Sequence, residues 1–432
     1  MSVTVSARPL VALSARRFLV PRAAKGLLVA AAVAVAVFPA NAQRPTALAR
    51  IDSTLERAVA ANEIAGGVLL VLKDGRPVYE RAVGMADREA GRRMTPEAIF
   101  RIASQTKAFT SVAILMLIEE GKLTLGTPVS KFIPSFAKTT VAVKADSGRA
   151  IVPAARSITI RDLLTHTSGY SYGSDSLVAP LYAALGLGPV AGAGGWYTAD
   201  KTEPICTTME TVGTLPAVAQ PGAAWVYGYN TDILGCVVEK ASGMSLDKFF
   251  AERITGPLKL KDTRFYVDPA QKARLTAVYM SDADNHAERA PDGARGQGHY
   301  VEGPRVSFAG GAGLTSTAHD YARFLEMIRR SGTLDGVRIL SPRSVALMRT
   351  NLVGQRYRAD GSSGFGAGFE TVERLDGYRS VGSYGWGGAY GSNYWVDPTN
   401  GLVVCWMMQL MPSRSDIVSR LQAGVAQAFV ER

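Results

Sequence analysis

A serine and a lysine stand three residues apart in the segment Ser104-Gln-Thr-Lys107, where the apolar run AFTSVAILMLIEEGKL begins. On a helix this spacing places both side chains on one face, within reach of each other. The N-terminus of a helix also presents backbone N–H groups and the positive end of the helix dipole. A serine hydroxyl beside an amine at such a position can act as a nucleophile, so the segment predicts serine acyl-transfer chemistry.

The same spacing occurs at two other places, and both have an ordinary structural interpretation. Ser135 and Lys138 lie in a polar, proline-marked stretch that favours a loop. Ser245 precedes an apolar run and occupies the position of a helix N-cap. Ser104 differs because its helix is apolar on nearly every side, which is typical of a helix in the middle of a domain. N-capping remains the alternative interpretation of Ser104 from spacing alone.

The first 42 residues have the composition of a secretory signal peptide. They carry five basic residues and no acidic one, then an apolar run from Leu27 to Phe38 and the small-residue sequence Ala40-Asn41-Ala42. This arrangement predicts cleavage after Ala42 and export to the periplasm or the medium. The apolar run is short for a membrane span, which favours a cleaved signal peptide. The alternative is that the segment is retained as an anchor, and this is the only membrane contact that we would expect.

The rest of the chain has a globular composition without signs of nucleic-acid or metal binding. Of the 432 residues, 47% are hydrophobic, and the basic residues behind the net charge of +11 form no run after residue 42. The four histidines and three cysteines make no HExxH, CxxC or other ligand spacing, so we expect no metal and no other cofactor. Cys236 and Cys405 lie in apolar runs typical of buried cysteines. One disulfide is compatible with export, but the spacing does not select a pair.

Strand-like segments lie near both ends of the chain, with helical segments between them. Gly66–Lys73 and Pro77–Met85 are rich in β-forming residues, and Asp74-Gly75 between them indicates a hairpin. The later predicted strands are 364–373, 378–384, 391–396 and 402–408, before a helix over 416–430. This order predicts an α/β fold of the α+β type, with an antiparallel sheet flanked by helices and an inserted, mainly helical domain.

The predicted domain boundaries follow from this order. Residues 1–42 are the signal peptide, and residues 43–103 and 305–432 build the sheet domain from both ends of the chain. Residues 104–304 form the mainly helical domain, and the active site is expected at the interface between the two.

Two further segments, together with Ser104, carry a family resemblance. One runs from Pro221 to Gly235 (PGAAWVYGYNTDILG) and the other from Gly385 to Gly391 (GWGGAYG). Their order and surroundings, which include FRIASQTKAFTS, ITIRDLLTHTSGY and FAGGAGLTSTAHDYARF, cover most of the chain. The sequence resembles the serine β-lactamase and penicillin-binding-protein superfamily, in particular its class C-like branch and the family VIII carboxylesterases. The resemblance implies a β-lactamase/transpeptidase-like fold.

The resemblance also implies a role for individual residues. Ser104 would be the nucleophile, Lys107 its partner and Tyr227 the catalytic tyrosine. The third family motif falls on Trp386-Gly387-Gly388. By the same match, the oxyanion hole would consist of the backbone N–H groups of Ser104 and Ala389.

Two departures from the lactamase pattern bear on the substrate. Trp386 stands where many lactamases carry a lysine, and an indole cannot neutralise the carboxylate of a β-lactam or of a terminal D-alanine. Tyr229 stands where an asparagine is usual, and Asn230 comes one residue late. With Gly387 and Gly388, these three residues are the expected substrate-binding set. The departures favour neutral, apolar esters.

The sequence does not decide whether Lys107 or Tyr227 is the base that activates Ser104. Free lysine and free tyrosine both hold their protons at neutral pH, so either would have to be perturbed. A neighbouring ammonium stabilises a phenolate, which favours Tyr227 as the base and Lys107 as its electrostatic support. The two groups would titrate as a coupled pair.

Three functions are compatible with these features. The first is an exported serine hydrolase that cleaves short-chain carboxylic esters through an acyl-enzyme on Ser104, with a small-molecule ester as its partner. The alternative is a β-lactamase or a D-alanyl-D-alanine carboxypeptidase-like activity. A non-catalytic binding or sensor protein is a minor alternative, because Ser104, Lys107 and Tyr227 are all present. The sequence gives no indication of the oligomeric state.

Overall fold

The computed structural model describes residues 40–146, 148–188, 201–294 and 296–430. The predicted signal peptide lies outside the described residues except for its last three, with which the first helix begins. Among the described residues, no helix combines the length and the apolar character that crossing a membrane requires.

The described residues form ten α-helices and sixteen strands. The helices are α1 (Ala40–Ala60), α2 (Thr106–Glu119), α3 (Ile160–Leu164), α4 (Ala179–Ala184), α5 (Ile205–Gly213), α6 (Asn230–Ser242), α7 (Leu246–Phe250), α8 (Ala318–Arg329), α9 (Pro342–Met348) and α10 (Ile417–Phe429). The strands are β1 (Gly66–Lys73), β2 (Arg76–Asp87), β3 (Arg92–Arg93), β4 (Phe100–Arg101), β5 (Thr140–Ala145), β6 (Gly148–Pro153), β7 (Tyr279–Ser281), β8 (Ala287–Arg289), β9 (Thr315–Ser316), β10 (Thr333–Leu334), β11 (Val337–Arg338), β12 (Ser363–Phe365), β13 (Glu370–Val372), β14 (Tyr384–Gly387), β15 (Asn393–Asp397) and β16 (Leu402–Met408).

One antiparallel sheet of eight strands, in the order β12-β13-β14-β15-β16-β1-β2-β3, joins both ends of the chain. Alternate residues of β1 face two different cores, as the period of two in a strand requires. Val68 and Leu70 pack on the side of α2 and α8, whereas Leu69 and Val71 pack under α1 and α10. The prediction of an antiparallel sheet flanked by helices is confirmed.

The hairpin between β1 and β2 forms where the sequence indicated it. Asp74 and Gly75 both have positive φ angles, 53° and 79°. Two successive residues with positive φ are typical of a type I′ turn, whose twist matches that of the flanking strands.

The predicted strand over 378–384 is wrong. Residues 373–383 form a loop, and β14 begins only at Tyr384, where it pairs with β13 and β15. The Ser380 hydroxyl within this loop donates a hydrogen bond of 2.6 Å to Asp397. Gly382, with a φ of 85°, interrupts the extended backbone that the β-forming residues of this run predicted.

The helical part of the chain also contains strands that the sequence did not indicate. β5 and β6 form a separate hairpin, and β7 and β8 form another. Tyr279 of β7 and Ala287 of β8 belong to the core under α1 and α10, so this hairpin packs with the sheet. The division into two domains at residues 104 and 304 stays a prediction.

The serine of the first motif lies just before α2 and not within it. Ala103–Gln105 form a single 3₁₀ turn, here called the Ser104 turn, and α2 starts at Thr106. As expected from its composition, α2 is buried on nearly every side. Phe109, for example, stacks on Phe324 of α8 with ring centroids 3.9 Å apart.

A disulfide joins Cys206 of α5 to Cys236 of α6, 30 residues later in the chain. Cys236 is therefore buried as expected, but it is a bonded cysteine and not a free small hydrophobe. Cys405 of β16 is buried and free. The bond fixes α6, whose N-terminus lies beside the site described below.

Removing this disulfide by the double substitution Cys206→Ser and Cys236→Ser should lower the free energy of unfolding by about 2–4 kcal/mol, because the open unfolded chain gains entropy. Urea unfolding of protein made in an oxidising compartment measures this. Thiol titration of the wild-type protein in denaturant should find one thiol, Cys405. Three reactive thiols would contradict the pairing.

Candidate active site

The Ser104 turn is held in a constrained backbone conformation against the end of β14. Ala103 has a φ of 42°, a region that residues with a side chain rarely adopt. Gly388 lies so close to the turn that a Cβ on it would stand 2.6 Å from the Ile102 carbonyl oxygen. Ser104 is 7% exposed. The close approach therefore places the last residues of the strand beside the serine hydroxyl.

Lys107 is buried and donates three hydrogen bonds from its Nζ. The acceptors are Ser104 Oγ at 3.2 Å, the Tyr172 hydroxyl at 3.0 Å and the Gly311 carbonyl oxygen at 2.7 Å. A carbonyl oxygen can only accept, so Lys107 is the donor in that contact. Three acceptors match the three N–H bonds of an ammonium.

Tyr227 contacts the same serine oxygen from the opposite side. Its hydroxyl donates a hydrogen bond of 2.7 Å to Ser104 Oγ and accepts one of 3.2 Å from the indole N–H of Trp386. Lys107 Nζ lies 4.8 Å from the centroid of the Tyr227 ring. The structure thus brings Ser104, Lys107, Tyr227 and Trp386 together, as the sequence predicted.

Two backbone donors face the cavity beside the serine. Among the described residues, neither the N–H of Ser104 nor that of Ala389 has a hydrogen-bond acceptor. Both residues line the cavity. This is the arrangement expected of the predicted oxyanion hole, whose role stays a prediction.

Tyr229 and Asn230 do not reach the cavity, which corrects the expectation that they contact the substrate. Asn230 is completely buried, and its amide NH₂ donates to His166 Nδ1 at 3.0 Å and to the carbonyl oxygens of Val226 and Tyr170. Tyr229 is 2% exposed. Asn230 therefore clamps the chain before Tyr227 to the neighbouring loop, a structural role that a motif alignment cannot distinguish from substrate binding.

Gly387 lines the cavity, whereas Gly388 serves the close packing described above and is not part of the wall. Of the five predicted substrate-binding residues, only Trp386 and Gly387 therefore lie at the cavity surface.

Sequence reasoning missed three groups around Lys107. Tyr172 accepts its hydrogen bond, and burial raises the pKa of the Tyr172 hydroxyl well above its ordinary value. The carboxylate of Asp232 accepts from the Gly311 N–H at 3.1 Å. Burial, reinforced by Lys107, holds the pKa of His166 well below its ordinary value, so this imidazole stays neutral. His166 and Asp232 lie in stretches that resemble the family, whereas Tyr172 lies two residues beyond one. No local pattern marks any of the three as a neighbour of Lys107.

The cavity in front of Ser104 has a volume of about 630 Å³ and is here called the Ser104 cavity. Its described lining residues are Ser104, Tyr172, Ser174, Tyr227, Glu370, Arg379, Trp386, Gly387, Ala389, Asn393 and Gln422. Trp225 and Tyr357 pack behind Trp386, with their own ring centroids 4.7 Å apart. One wall is therefore aromatic.

A charged pair forms another part of the wall of the Ser104 cavity. Arg379 donates a hydrogen bond of 2.9 Å to the carboxylate of Glu370, and the Tyr357 hydroxyl donates one of 3.2 Å to the same carboxylate. The two charged side chains are 20% and 15% exposed. Both residues lie outside the three motifs, so motif spacing does not predict their place at the cavity.

One group of possible metal ligands exists away from this site. Asp282, Asp284 and His286 bring ligand atoms within 4.8 Å of one another in an exposed turn. Exposed acidic groups of this kind are common without a metal, and the prediction of no metal stays a prediction.

Several known proteins are similar to this chain in sequence. The Beta-lactamase family profile matches residues 51–428. Esterase EstB from Burkholderia gladioli is 31% identical over 375 residues, which cover 82% of this chain and 88% of EstB. Protein Rv1367c from Mycobacterium tuberculosis is 34% identical over 382 residues, which cover 84% of this chain and 90% of that protein.

The fold is shared with solved structures as well. EstCE1, a hydrolase with promiscuous acyltransferase activity, superimposes with a TM-score of 0.74 at 26% identity and covers 89% of this chain and 100% of its own. The predicted β-lactamase-like fold is thereby confirmed. The chain belongs to the beta-lactamase family, within the β-lactamase and penicillin-binding-protein superfamily that its motifs resemble.

Proposed function

We propose that this protein is an exported serine hydrolase that cleaves short-chain carboxylic esters through an acyl-enzyme on Ser104. The observation that carries the proposal is the convergence of Lys107 and Tyr227 on one serine oxygen, at a cavity with room for a small ester. Relatives with the same fold, the esterase EstB and the hydrolase EstCE1, support this class of reaction.

Acylation requires that the Tyr227 hydroxyl first release its proton to solvent, so that the 2.7 Å hydrogen bond reverses and Ser104 becomes the donor. Ser104 Oγ then attacks the carbonyl carbon of the ester, and its proton passes to the Tyr227 oxygen. The carbonyl oxygen becomes an oxyanion that accepts hydrogen bonds from the N–H groups of Ser104 and Ala389. As the tetrahedral intermediate collapses, the bond to the alcohol oxygen breaks, and Tyr227 returns the proton to that oxygen. The alcohol leaves, and the acyl group stays on Ser104.

Deacylation repeats these steps with water in place of the alcohol. Tyr227 removes a proton from the attacking water, and the same two N–H groups stabilise the second oxyanion. When the bond between the acyl carbon and Ser104 Oγ breaks, the proton returns to Ser104. The carboxylic acid then leaves the cavity.

We assign the role of the base to Tyr227. Lys107 already places its N–H bonds on three acceptors, a pattern that uses every proton of an ammonium. An indole N–H can only donate, so in the contact from Trp386 the Tyr227 oxygen is the acceptor, as a base must be. The Lys107 Nζ lies 4.8 Å from the centroid of the Tyr227 ring.

The Ser104 cavity favours uncharged esters over acids. Glu370 neutralises Arg379, so a carboxylate on the substrate would meet a negative charge together with the positive one. Trp386 contributes an aromatic face where a lysine would attract an anion. A β-lactamase or carboxypeptidase-like activity is the second candidate, because Arg379 places a cation in the cavity that could hold a substrate carboxylate if Glu370 released it.

The proposal of export rests on the sequence of the first 42 residues and gains support from the disulfide. Disulfides form and persist in oxidising compartments such as the periplasm and the extracellular medium. The bond between Cys206 and Cys236 fits that destination.

Replacing the nucleophile should remove the activity. We expect Ser104→Ala to lower kcat for p-nitrophenyl butyrate by roughly 10⁴-fold or more and to abolish labelling by a fluorophosphonate probe, because no other group can carry the acyl intermediate. Ser135→Ala, a serine with the same spacing to a lysine, is the matched control and should keep full activity. Wild-type turnover by the Ser104→Ala variant would reject the proposal.

Tyr227 and its donor should affect kcat to different extents. Tyr227→Phe removes the base and should lower kcat by about 10²–10⁴-fold with little change in KM. Trp386→Phe keeps an aromatic face but loses the N–H donor, so a smaller loss of kcat is expected. The exposed Tyr378→Phe serves as the control. Equal activity of Tyr227→Phe and the wild type would show that the base lies elsewhere.

Charge in the cavity wall should set substrate preference. Glu370→Gln leaves Arg379 without its counter-charge, so kcat/KM for esters that carry a carboxylate should rise by about 5-fold, or roughly 1 kcal/mol, relative to neutral esters. Two pairs of substrates measure this: p-nitrophenyl hydrogen succinate against p-nitrophenyl butyrate, and 4-carboxyphenyl butyrate against phenyl butyrate. The pair that responds identifies the part of the ester that faces Arg379.

Two further measurements complete that experiment. Arg379→Gln should show no gain with either acid. If Glu370→Gln gains nothing with the acids, or if wild-type protein already hydrolyses nitrocefin faster than any ester, the preference for uncharged esters is wrong.

A further inference from the structure

Asp232 is a carboxylate with an unusual position for the first turn of a helix. It is the third residue of α6, where acidic side chains normally lie in solvent and interact with the helix dipole. Here the residue is 2% exposed. One carboxylate oxygen accepts the Gly311 N–H at 3.1 Å, and the other has no hydrogen-bond partner among the described residues.

Gly311 is the one residue that links this carboxylate to Lys107. Its N–H is held by Asp232, and its carbonyl oxygen accepts the 2.7 Å hydrogen bond from Lys107. A Cβ on Gly311 would lie 2.4 Å from an Asp232 carboxylate oxygen, and a Cβ on Gly310 would lie 2.6 Å from the Thr231 carbonyl oxygen. Only glycines allow the chain to pass this close to the N-terminus of α6.

We propose that Asp232 is the buried counter-ion of Lys107, which fixes the Gly311 peptide under the ammonium and thereby keeps Lys107 charged and pointed at Ser104. Asp232 touches neither the substrate nor the reacting atoms, so it is a positioning residue. The inference rests on the proposed function of Ser104 and Lys107.

Charge balance in the interior supports this assignment. A buried ammonium is costly without a compensating charge, and among the described residues no carboxylate makes an ion pair with Lys107 at contact distance. Lys107 and Asp232 nevertheless interact electrostatically, and this attraction opposes the rise in the pKa of Asp232 that burial causes. The other titratable groups facing the pair are Tyr172, Tyr227, Tyr229 and His166. Burial raises the pKa of Tyr172 and Tyr229 and lowers that of His166, so none of these three offers a negative charge at neutral pH.

A plain structural role does not account for both oxygens of Asp232. A residue that only had to bond the Gly311 N–H could be neutral, as an asparagine or a serine is. Burial raises the pKa of Asp232 to about 6 even with the attraction of Lys107, so a carboxylate at this position costs free energy above that pH. A charge kept at that cost is explained if it holds the Lys107 ammonium in place.

The test is the kcat/KM–pH profile of the Asp232→Asn variant with p-nitrophenyl butyrate between pH 5 and pH 9. Asparagine keeps an oxygen for the Gly311 N–H and removes only the charge. In the wild-type protein the rate should fall as the pH drops below about 6, because Asp232 takes up a proton. The variant should lack this acid limb and show a kcat reduced by up to about 10²-fold with KM unchanged, since a slightly misplaced group is enough for such a loss.

A pH titration of thermal unfolding provides a readout that does not depend on catalysis. The pKa of Asp232 is raised in the folded state, so its contribution to stability is present below the unfolded value and is lost as the pH rises towards about 6. The Asp232→Asn variant should lack this pH-dependent step. Asp247→Asn, which changes an acid in the first turn of α7, is the matched control and should leave both profiles as in the wild type.

Gly311→Ala is a second variant, needed if Asp232→Asn does not fold. It keeps both charges but displaces the peptide between them, so kcat should fall by a comparable factor. An acid limb and a kcat that are unchanged in Asp232→Asn, or an unchanged kcat in Gly311→Ala, would overturn the inference. Absence of hydrolysis and of fluorophosphonate labelling in the wild-type protein would instead refute the proposed function, so the two failures are distinguishable.

Discussion

The three hydrogen bonds of the Lys107 ammonium are the interaction on which the rest of the site depends. They join the Ser104 turn to Tyr172, which lies in the loop between α3 and α4, and to Gly311. These three segments are distant in sequence. A buried ammonium must have all its protons accepted, because an unpaired one is expensive away from water. The need for three acceptors therefore fixes the position of Lys107 and also the positions of the three segments that supply them.

Close backbone approach is what makes these contacts geometrically possible. Gly388 allows the end of β14 to lie against the Ser104 turn, and Gly311 allows its loop to lie against Asp232. The first approach places Ala389 in the wall of the cavity with Ser104 and the Trp386 indole against the Tyr227 hydroxyl, and the second brings a carbonyl oxygen to the lysine. The sheet, assembled from both ends of the chain, supplies the rigid support that such tight packing needs.

The spacing of Ser104 and Lys107 was sufficient to predict that these two side chains meet, and the family resemblance implied that Tyr227 and Trp386 join them. Spacing was not sufficient for residues whose role depends on a distant partner. Asp232 and Gly311 both stand in segments that carry the family resemblance, but nothing in either segment indicates that they meet across 79 residues. For the same reason the sequence could not select the disulfide pair.

The errors have physical causes as well. The segment 378–384 contains β-forming residues, but the positive φ of Gly382 and the hydrogen bond of Ser380 to Asp397 favour a loop. Asn230 has the residue type of a substrate ligand, yet all of its hydrogen bonds stay inside the protein. Side-chain type predicts what a residue can do, whereas burial decides what it does.

The central claim is that the serine held by Lys107 and Tyr227 becomes acylated during turnover. Rapid acid quenching during hydrolysis of p-nitrophenyl butyrate, followed by intact-mass and peptide mass spectrometry, tests it most directly. The account predicts one butyryl group per chain, carried on the peptide that contains Ser104. A butyryl group on any other residue, or ester hydrolysis without a covalent adduct on any time scale of turnover, would contradict it.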